Sequence, residues 1–233
     1  MTEADQTLTI DVVSDVVCPW CYLGEKRLAA ALADEPEPVV VRWRPYQLDP
    51  TIPEGGLDRK AYMEKKFGRD GRLKAVHDQL ARLGAEVGVD FAFDRISRAP
   101  NTLDAHRLIR WAASTGRQGE VVDRLFRAYF VEGRDVGDRP TLLDVAAKSG
   151  LNGALVAKLL DDGADVEAVK SEIAQAQAMG VTGVPFFIFA GRLGVPGAQD
   201  VSVLRRAMGE ARAAMTASTG AIPLSPRAGR GHG

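Results

Sequence analysis

The sequence predicts an α/β fold with a large all-helical domain inserted between its two halves. Three observations predict it. A strand, a helix and a second strand follow one another in residues 8–48; helical periodicity fills residues 51–180; and a strand, turn, strand and helix follow residue 184. The chain has 233 residues, more than one small domain needs, and a hydrophobic content of 45% supports a sizeable core.

"LTIDVVSD" (8–15) is β-branched, nearly continuously apolar and bounded by polar residues, the pattern of a buried strand. "YLGEKRLAAALADE" (22–35) reads as a helix carrying Leu23, Leu28 and Leu32, and Pro36 and Pro38 break it. "VVVRWRPYQL" (39–48) is a second strand. Strand, helix, strand implies a right-handed crossover joining parallel strands.

From about 51 to 180 the spacing predicts five to seven helices. Leu73, Val76, Leu80, Leu83 and Val87 mark one; Val122, Leu125, Phe126, Tyr129 and Phe130 mark another. In "PTLLDVAAKSG", Thr141 is the expected N-cap and Gly150 the stop; "ADVEAVKSEIAQAQAMG" closes the block before Gly180. Phe126, Phe130 and Met179 are expected in the core.

Phe186–Phe189, a turn at Ala190–Gly191 and Arg192–Val195 form a predicted hairpin. "DVSVLRRAMGEARAAM" (200–215) is a last amphipathic helix. With the middle block set aside, the order of elements is the thioredoxin topology. The expected division is a discontinuous thioredoxin-like domain (1–50 with 181–217), an inserted helical domain (51–180) and a disordered Gly/Pro/Ser-rich tail (218–233).

The two cysteines of the chain, Cys18 and Cys21 in "VVCPWCYLG", sit where the first strand hands over to the helix. Such a pair is half a zinc site, a structural disulfide or a redox couple. Zinc needs four ligands, and His77, His106 and His232 show no paired spacing, so no metal is expected. A structural bridge across so small a loop constrains the unfolded chain little. Redox chemistry suits the position: unpartnered N–H groups at a helix start stabilise Cys18 as the attacking thiolate. Cys21, one turn on, is the expected buried resolver. Pro19 fits the first helical turn, where its missing N–H costs nothing. Trp20, between the cysteines, is expected to be exposed and to touch substrate.

"GVTGVPFF" adds Val184 and Pro185. In this topology a proline precedes the third strand and faces the cysteines. A cis Val184–Pro185 bond would turn the Val184 backbone towards an extended substrate.

"SDVVCPWCYLGEKRL", "APNTLDAHRLIRWA" and "GVTGVPFFIFAGRLGVPGAQ", in this order, resemble the DsbA-like thioredoxin family and, within it, the FrnE branch of cytosolic oxidoreductases. The resemblance spans about residues 7–215. It implies a thioredoxin fold with a helical insertion, thiol–disulfide exchange on cysteine-containing proteins or peptides, a catalytic pair at Cys18 and Cys21, and a cis-proline at Pro185. The chain departs from DsbA at Trp20, where histidine is usual, and lacks the second cysteine pair of some FrnE-type proteins. The neighbouring 2-hydroxychromene-2-carboxylate isomerases and kappa-class glutathione transferases share fold and insertion. They usually carry serine at the position of Cys18, and they leave glutathione open as a partner here.

Other polar residues have two readings each. Asp15 is a proton relay for Cys21 or a loop acceptor. Asp11 is a buried acid near the pair or sits on an exposed strand end. Asn101 caps the "TLDAHRLIRW" helix or makes a substrate-side polar contact across the cleft. His106 reads as a satisfied histidine between the two domains.

Net charge is −1, from 30 basic and 31 acidic residues without a long run of one sign, so neither nucleic acid nor an anionic membrane is an expected partner. "MTEADQTLTI" lacks the basic and apolar regions of a secretory signal, and no stretch approaches the ~20 apolar residues of a membrane helix. The expected address is cytoplasmic, with no cofactor.

Overall fold

A computed structural model describes residues 7–219 of the chain. β1 (Leu8–Ser14) leads through a turn into α1 (Pro19–Leu32), which starts earlier than the apolar pattern alone suggests because Pro19 takes its first position. β2 (Val39–Pro45) returns parallel to β1, in register from Leu8 opposite Val39 to Ser14 opposite Pro45. It ends at a proline, which has no N–H to continue the ladder.

The segment that follows is mostly helical. β3 (Leu57–Asp58) precedes α2 (Arg59–Phe67), α3 (Arg72–Glu86) and a single 3₁₀ turn at Phe93–Arg95. Then come β4 (Arg98–Ala99), α4 (Leu103–Ala113), α5 (Gln118–Phe130), α6 (Arg139–Lys148), α7 (Gly153–Asp161) and α8 (Val166–Ala178). The expectation of an all-helical insertion needs one correction: β3 and β4 pair antiparallel, Leu57 opposite Ala99. Strands of two residues carry no periodicity that a sequence could reveal. Two smaller corrections concern caps and core. Asp138, not Thr141, caps α6, its side chain accepting from the Thr141 N–H. Met179, at the end of α8, is 67% exposed, while Phe126 and Phe130 are buried as expected.

β5 (Phe186–Phe189) and β6 (Leu193–Pro196) form the hairpin, with Ala190 and Gly191 both at positive φ in its turn. β5 runs antiparallel to β1, giving a sheet in the order β2-β1-β5-β6. β1 is therefore central, and Leu8, Ile10, Val12 and Val13 are fully buried. α9 (Val201–Thr219) covers the sheet beside α1; it takes in residues 218 and 219, which the expected tail included, and the rest of that tail lies outside the described residues, as do residues 1–6 and His232.

One apolar core runs through both parts. Tyr22 of α1 stacks on Phe126 of α5 at 5.1 Å between ring centroids, and Phe91 meets Tyr22 and Phe130 edge-on. Truncating a ring such as Phe126 would cost about 3–5 kcal/mol. At the β2 edge, Gln118 of α5 accepts from the Trp43 N–H at 2.9 Å and donates to the Trp43 carbonyl at 3.2 Å.

Candidate active site

Cys18 occupies the N-cap of α1, and its amide donates to the Asp15 carbonyl at 3.0 Å. That turn brings the thiol to the end of the central strand. Across it lies the segment entering β5: Cys18 Sγ is 3.6 Å from the carbonyl oxygen of Val184. The Val184–Pro185 bond is cis, as its place in the topology suggests. Gly24 lets α1 approach this segment. A Cβ there would stand 3.0 Å from Pro185 Cγ and 3.2 Å from Phe187 Cζ.

Both thiols are free, and both are less accessible than the sequence suggests: Cys18 is 4% exposed and Cys21 1%. Cys18 faces a cavity of about 480 Å³, whereas Cys21 does not line it. Trp20 is half-buried and not exposed, because it packs against the core at the cavity edge; Pro19 and Val184 line the cavity too. Burial pushes the Cys21 thiol well above its ordinary pKa, and Cys18 beside it adds to the rise; Ser14 and the Asp15 backbone N–H pull the other way.

The roof of the cavity comes from residues that sequence reasoning did not single out for the site. α2 contributes Tyr62, Met63 and Phe67, and α3 contributes Leu73, Val76 and His77. His77 stacks on Phe93 at 4.0 Å between centroids, and burial lowers its pKa, as does the nearby Arg59. Arg59, Lys66 and Arg72 give this apolar pocket a cationic rim. A signal existed in the mixed apolar and basic composition of α2, "RKAYMEKKF", none of whose residues is fully buried.

The remaining polar candidates separate. Asp11 is away from the cysteines and pairs with Arg44 Nε at 2.7 Å. Asn101 does not line the cavity: it accepts from Leu103 N and Gln47 Nε2 and donates to the Ile52 carbonyl, pinning the 47–52 segment to the start of α4. Thr102 holds the N-cap position itself. Asp15 is buried beside the cavity and accepts from the Leu48 N–H at 2.8 Å. His106 is also buried; its Nε2 makes no hydrogen bond but faces Asp15 Oδ1 at 3.5 Å. Among the described residues, no group of three or more His, Cys, Asp or Glu side chains could hold a metal ion. No helix among them is long and apolar enough to cross a membrane.

The family model of the DSBA-like thioredoxin domain matches residues 9–209. The chain belongs to that family. Its fold is similar to that of a "probable DsbA oxidoreductase" from Streptomyces coelicolor, with 30% identity and a TM-score of 0.81 over 94% of this chain and 93% of the other. The uncharacterized protein YwbO of Bacillus subtilis (strain 168) is 28% identical over 205 residues, covering 88% of this chain and 97% of its own. The cytosolic disulfide reductase DsbM of Pseudomonas aeruginosa, solved with GSH, shares the fold at 24% identity and a TM-score of 0.58, over 91% of this chain and 98% of that one. Disulfide oxidoreductases thus stand among the members of this DsbA-like family, and the thioredoxin fold with a helical insertion is the architecture it shares.

Proposed function

We propose that this protein is a cytoplasmic thiol–disulfide oxidoreductase of the FrnE type, with Cys18 and Cys21 as its redox couple. The observation that carries the reading is the placing of Cys18 Sγ at the helix N-cap, 3.6 Å from the Val184 carbonyl and facing a cavity. Cys18 thiolate attacks a sulfur of the substrate disulfide, and one substrate thiolate leaves. Cys21 thiolate then attacks Cys18 Sγ in the mixed disulfide, and the second substrate thiolate departs. Run backwards, the same steps oxidise a dithiol. Pro19 and Trp20 border the thiol, and the Val184 backbone is the element that would align an extended cysteine-containing peptide.

A second reading is favoured by the enclosure of the site. A cavity of about 480 Å³ over a thiol 4% exposed suits a small thiol such as glutathione, as carried by DsbM in its solved structure. Glutathione is then the partner in exchange, or the cofactor of an isomerase or transferase.

The test is titration of the pair against glutathione and its disulfide. A single two-electron transition between about −270 and −120 mV supports the oxidoreductase and fixes its direction. A pair that stays in one state across that range rejects it.

A further inference from the structure

The roof of the Cys18 cavity carries a charge that thiol exchange by itself does not use. Arg59, the first residue of α2, lines the cavity half-buried. Its guanidinium reaches the Phe93 carbonyl only at 3.4 Å, and among the described residues no carboxylate pairs with it. A guanidinium stays charged at any working pH, and leaving it unpaired beside apolar walls is costly. The other basic groups of the cavity differ. Arg72 Nε pairs with Asp70 at 2.7 Å, and Lys66 is exposed and donates to the Tyr62 hydroxyl at 3.0 Å. His77 is held towards its neutral form by burial and by Arg59.

The carboxylates of the cavity are already engaged. Asp49 accepts from the Thr51 N–H and from the hydroxyls of Thr51 and Tyr62. Asp15 accepts from the Leu48 N–H and faces His106. Arg59 is therefore the cation of this cavity with donors to spare for an anion from outside.

The walls that Arg59 shares with Cys18 are largely apolar: Ile52, Met63, Leu73, Leu80, Phe93 and Phe130. They offer little to the amides of a peptide and much to a hydrocarbon or aromatic body. Leu48, Phe67 and Val76 also line the cavity and are exposed, which leaves a small molecule an entrance.

We propose that Arg59 is the specificity-determining residue of this cavity, and that the partner it selects is a small thiol or disulfide whose apolar body ends in a carboxylate. The sulfur end meets Cys18, the body lies along the apolar walls, and the carboxylate takes the free fork of Arg59. The inference rests on the reading of Cys18 and Cys21 as a redox couple.

The experiment starts from the oxidised protein, with Cys18 bonded to Cys21, and mixes it with dihydrolipoate or dihydrolipoamide. These share one dithiol and one hydrocarbon chain and differ in a carboxylate against a neutral amide. A thiolate of the dithiol attacks Cys18 Sγ, the Cys18–Cys21 bond breaks, and Cys21 leaves with its electron pair and takes up a proton. The second sulfur of the dithiol loses its proton, attacks the first, closes the ring disulfide and expels the Cys18 thiolate. The dithiol is thus oxidised by two electrons and the protein disulfide reduced. Acid quenching, alkylation and mass spectrometry count the reduced chains with time.

We expect dihydrolipoate to reach its half-maximal rate at a concentration about tenfold to a hundredfold below that of dihydrolipoamide. Arg59→Gln should bring the two within about threefold, whereas Arg59→Lys, which keeps the charge and loses the fork, should keep a preference of at least about fivefold. Should Arg59→Gln fail to fold, Arg59→Met carries the same expectation. Glutathione, anionic but polar, should need a concentration at least about tenfold above that of dihydrolipoate. Equal half-maximal concentrations for acid and amide in the wild type overturn the proposal without any variant, and so does a preference that survives the loss of the Arg59 charge. Glutathione saturating as low as dihydrolipoate overturns the apolar body. An oxidised pair that no dithiol reduces, dithiothreitol included, overturns the redox-couple reading instead.

Discussion

The sulfur of Cys18 and the carbonyl oxygen of Val184 stand 3.6 Å apart across 166 residues of sequence. Most of the helical segment is threaded between them. The contact exists because β5 pairs with the strand that delivers Cys18, Val13 lying opposite Phe186. Anything bound to the Cys18 sulfur therefore meets the Val184 backbone at once.

Cys21→Ser should trap substrate on Cys18, since the thiol that would release it is gone. Mass spectrometry after exposure to glutathione disulfide should find one glutathione per chain, attached at Cys18. The Cys18→Ser protein should remain unmodified, because Cys21 is 1% exposed and does not reach the cavity. Adducts confined to Cys21 would reverse the assignment.

Gly24→Val should destabilise the protein by about 2 kcal/mol, since even the first added carbon meets Pro185 and Phe187 at 3.0 and 3.2 Å. The helix gains propensity from the change, which offsets part of that cost. Thiol exchange should slow as well, because Pro185 follows the Val184 that Cys18 touches. Denaturant unfolding and exchange rates together check this; an unchanged midpoint would show that the proline moves aside freely.

Glu25 gives stability a pH dependence. It is largely but not fully buried beside α5, and the Lys26 that approaches it at 3.3 Å is held closer by Asp123, at 2.5 Å. Burial pushes its carboxyl up from 4.5 to about 7. Below 4.5 both folded and unfolded states hold the proton; between 4.5 and 7 only the folded state does, so stability falls as pH rises through this window. The penalty is fully present above about 7 and amounts to roughly 3 kcal/mol at most. Glu25→Gln should flatten that slope and stabilise the protein on the alkaline side. Urea midpoints across the window test it, and an identical slope in the variant would reject it.

Arg107→Leu should cost about 2–4 kcal/mol, from the two carbonyls that lose their donor, without changing the chemistry of Cys18. The guanidinium is buried, pairs with Asp104 at 2.7 Å, and donates to the carbonyls of Leu159 and Ala164 at 2.5 and 2.6 Å. It joins α4 to the last turn of α7 and to the loop before α8. A thermal melt measures the loss, and a wild-type first burst of thiol reactivity in the folded variant shows that the site is intact.

The strands and the cysteine turn were legible because they depend on local pattern. β1 and β5 are compact apolar runs, and Pro19 marks the helix start beside Cys18. The proline at 185 was legible through topology, which fixed what the strand after it must face. The cavity roof was not. In α2, Tyr62, Met63 and Phe67 turn towards an empty space and not a core, so their spacing looks like that of any weakly amphipathic surface helix. The same holds for His106. Its neighbours Ala105 and Ile109 mark a buried face, but the carboxylate opposite it comes from a strand end far away in sequence. Asn101 shows the reverse: its residue type suggested a helix cap or a contact across the cleft, and it instead sits one residue before the N-cap, bonding Leu103 N and Gln47 away from the Cys18 cavity.

Gln118 has a consequence for self-association. β2 is an outer strand of the sheet, and a bare outer strand offers its amides and carbonyls to any passing chain. At Trp43 both groups are already taken by the one side-chain amide of Gln118. A second molecule trying to continue the sheet there would have to evict that amide first. Continuation of the sheet along this border is thereby interrupted at Trp43, in the second half of the strand, by a single glutamine.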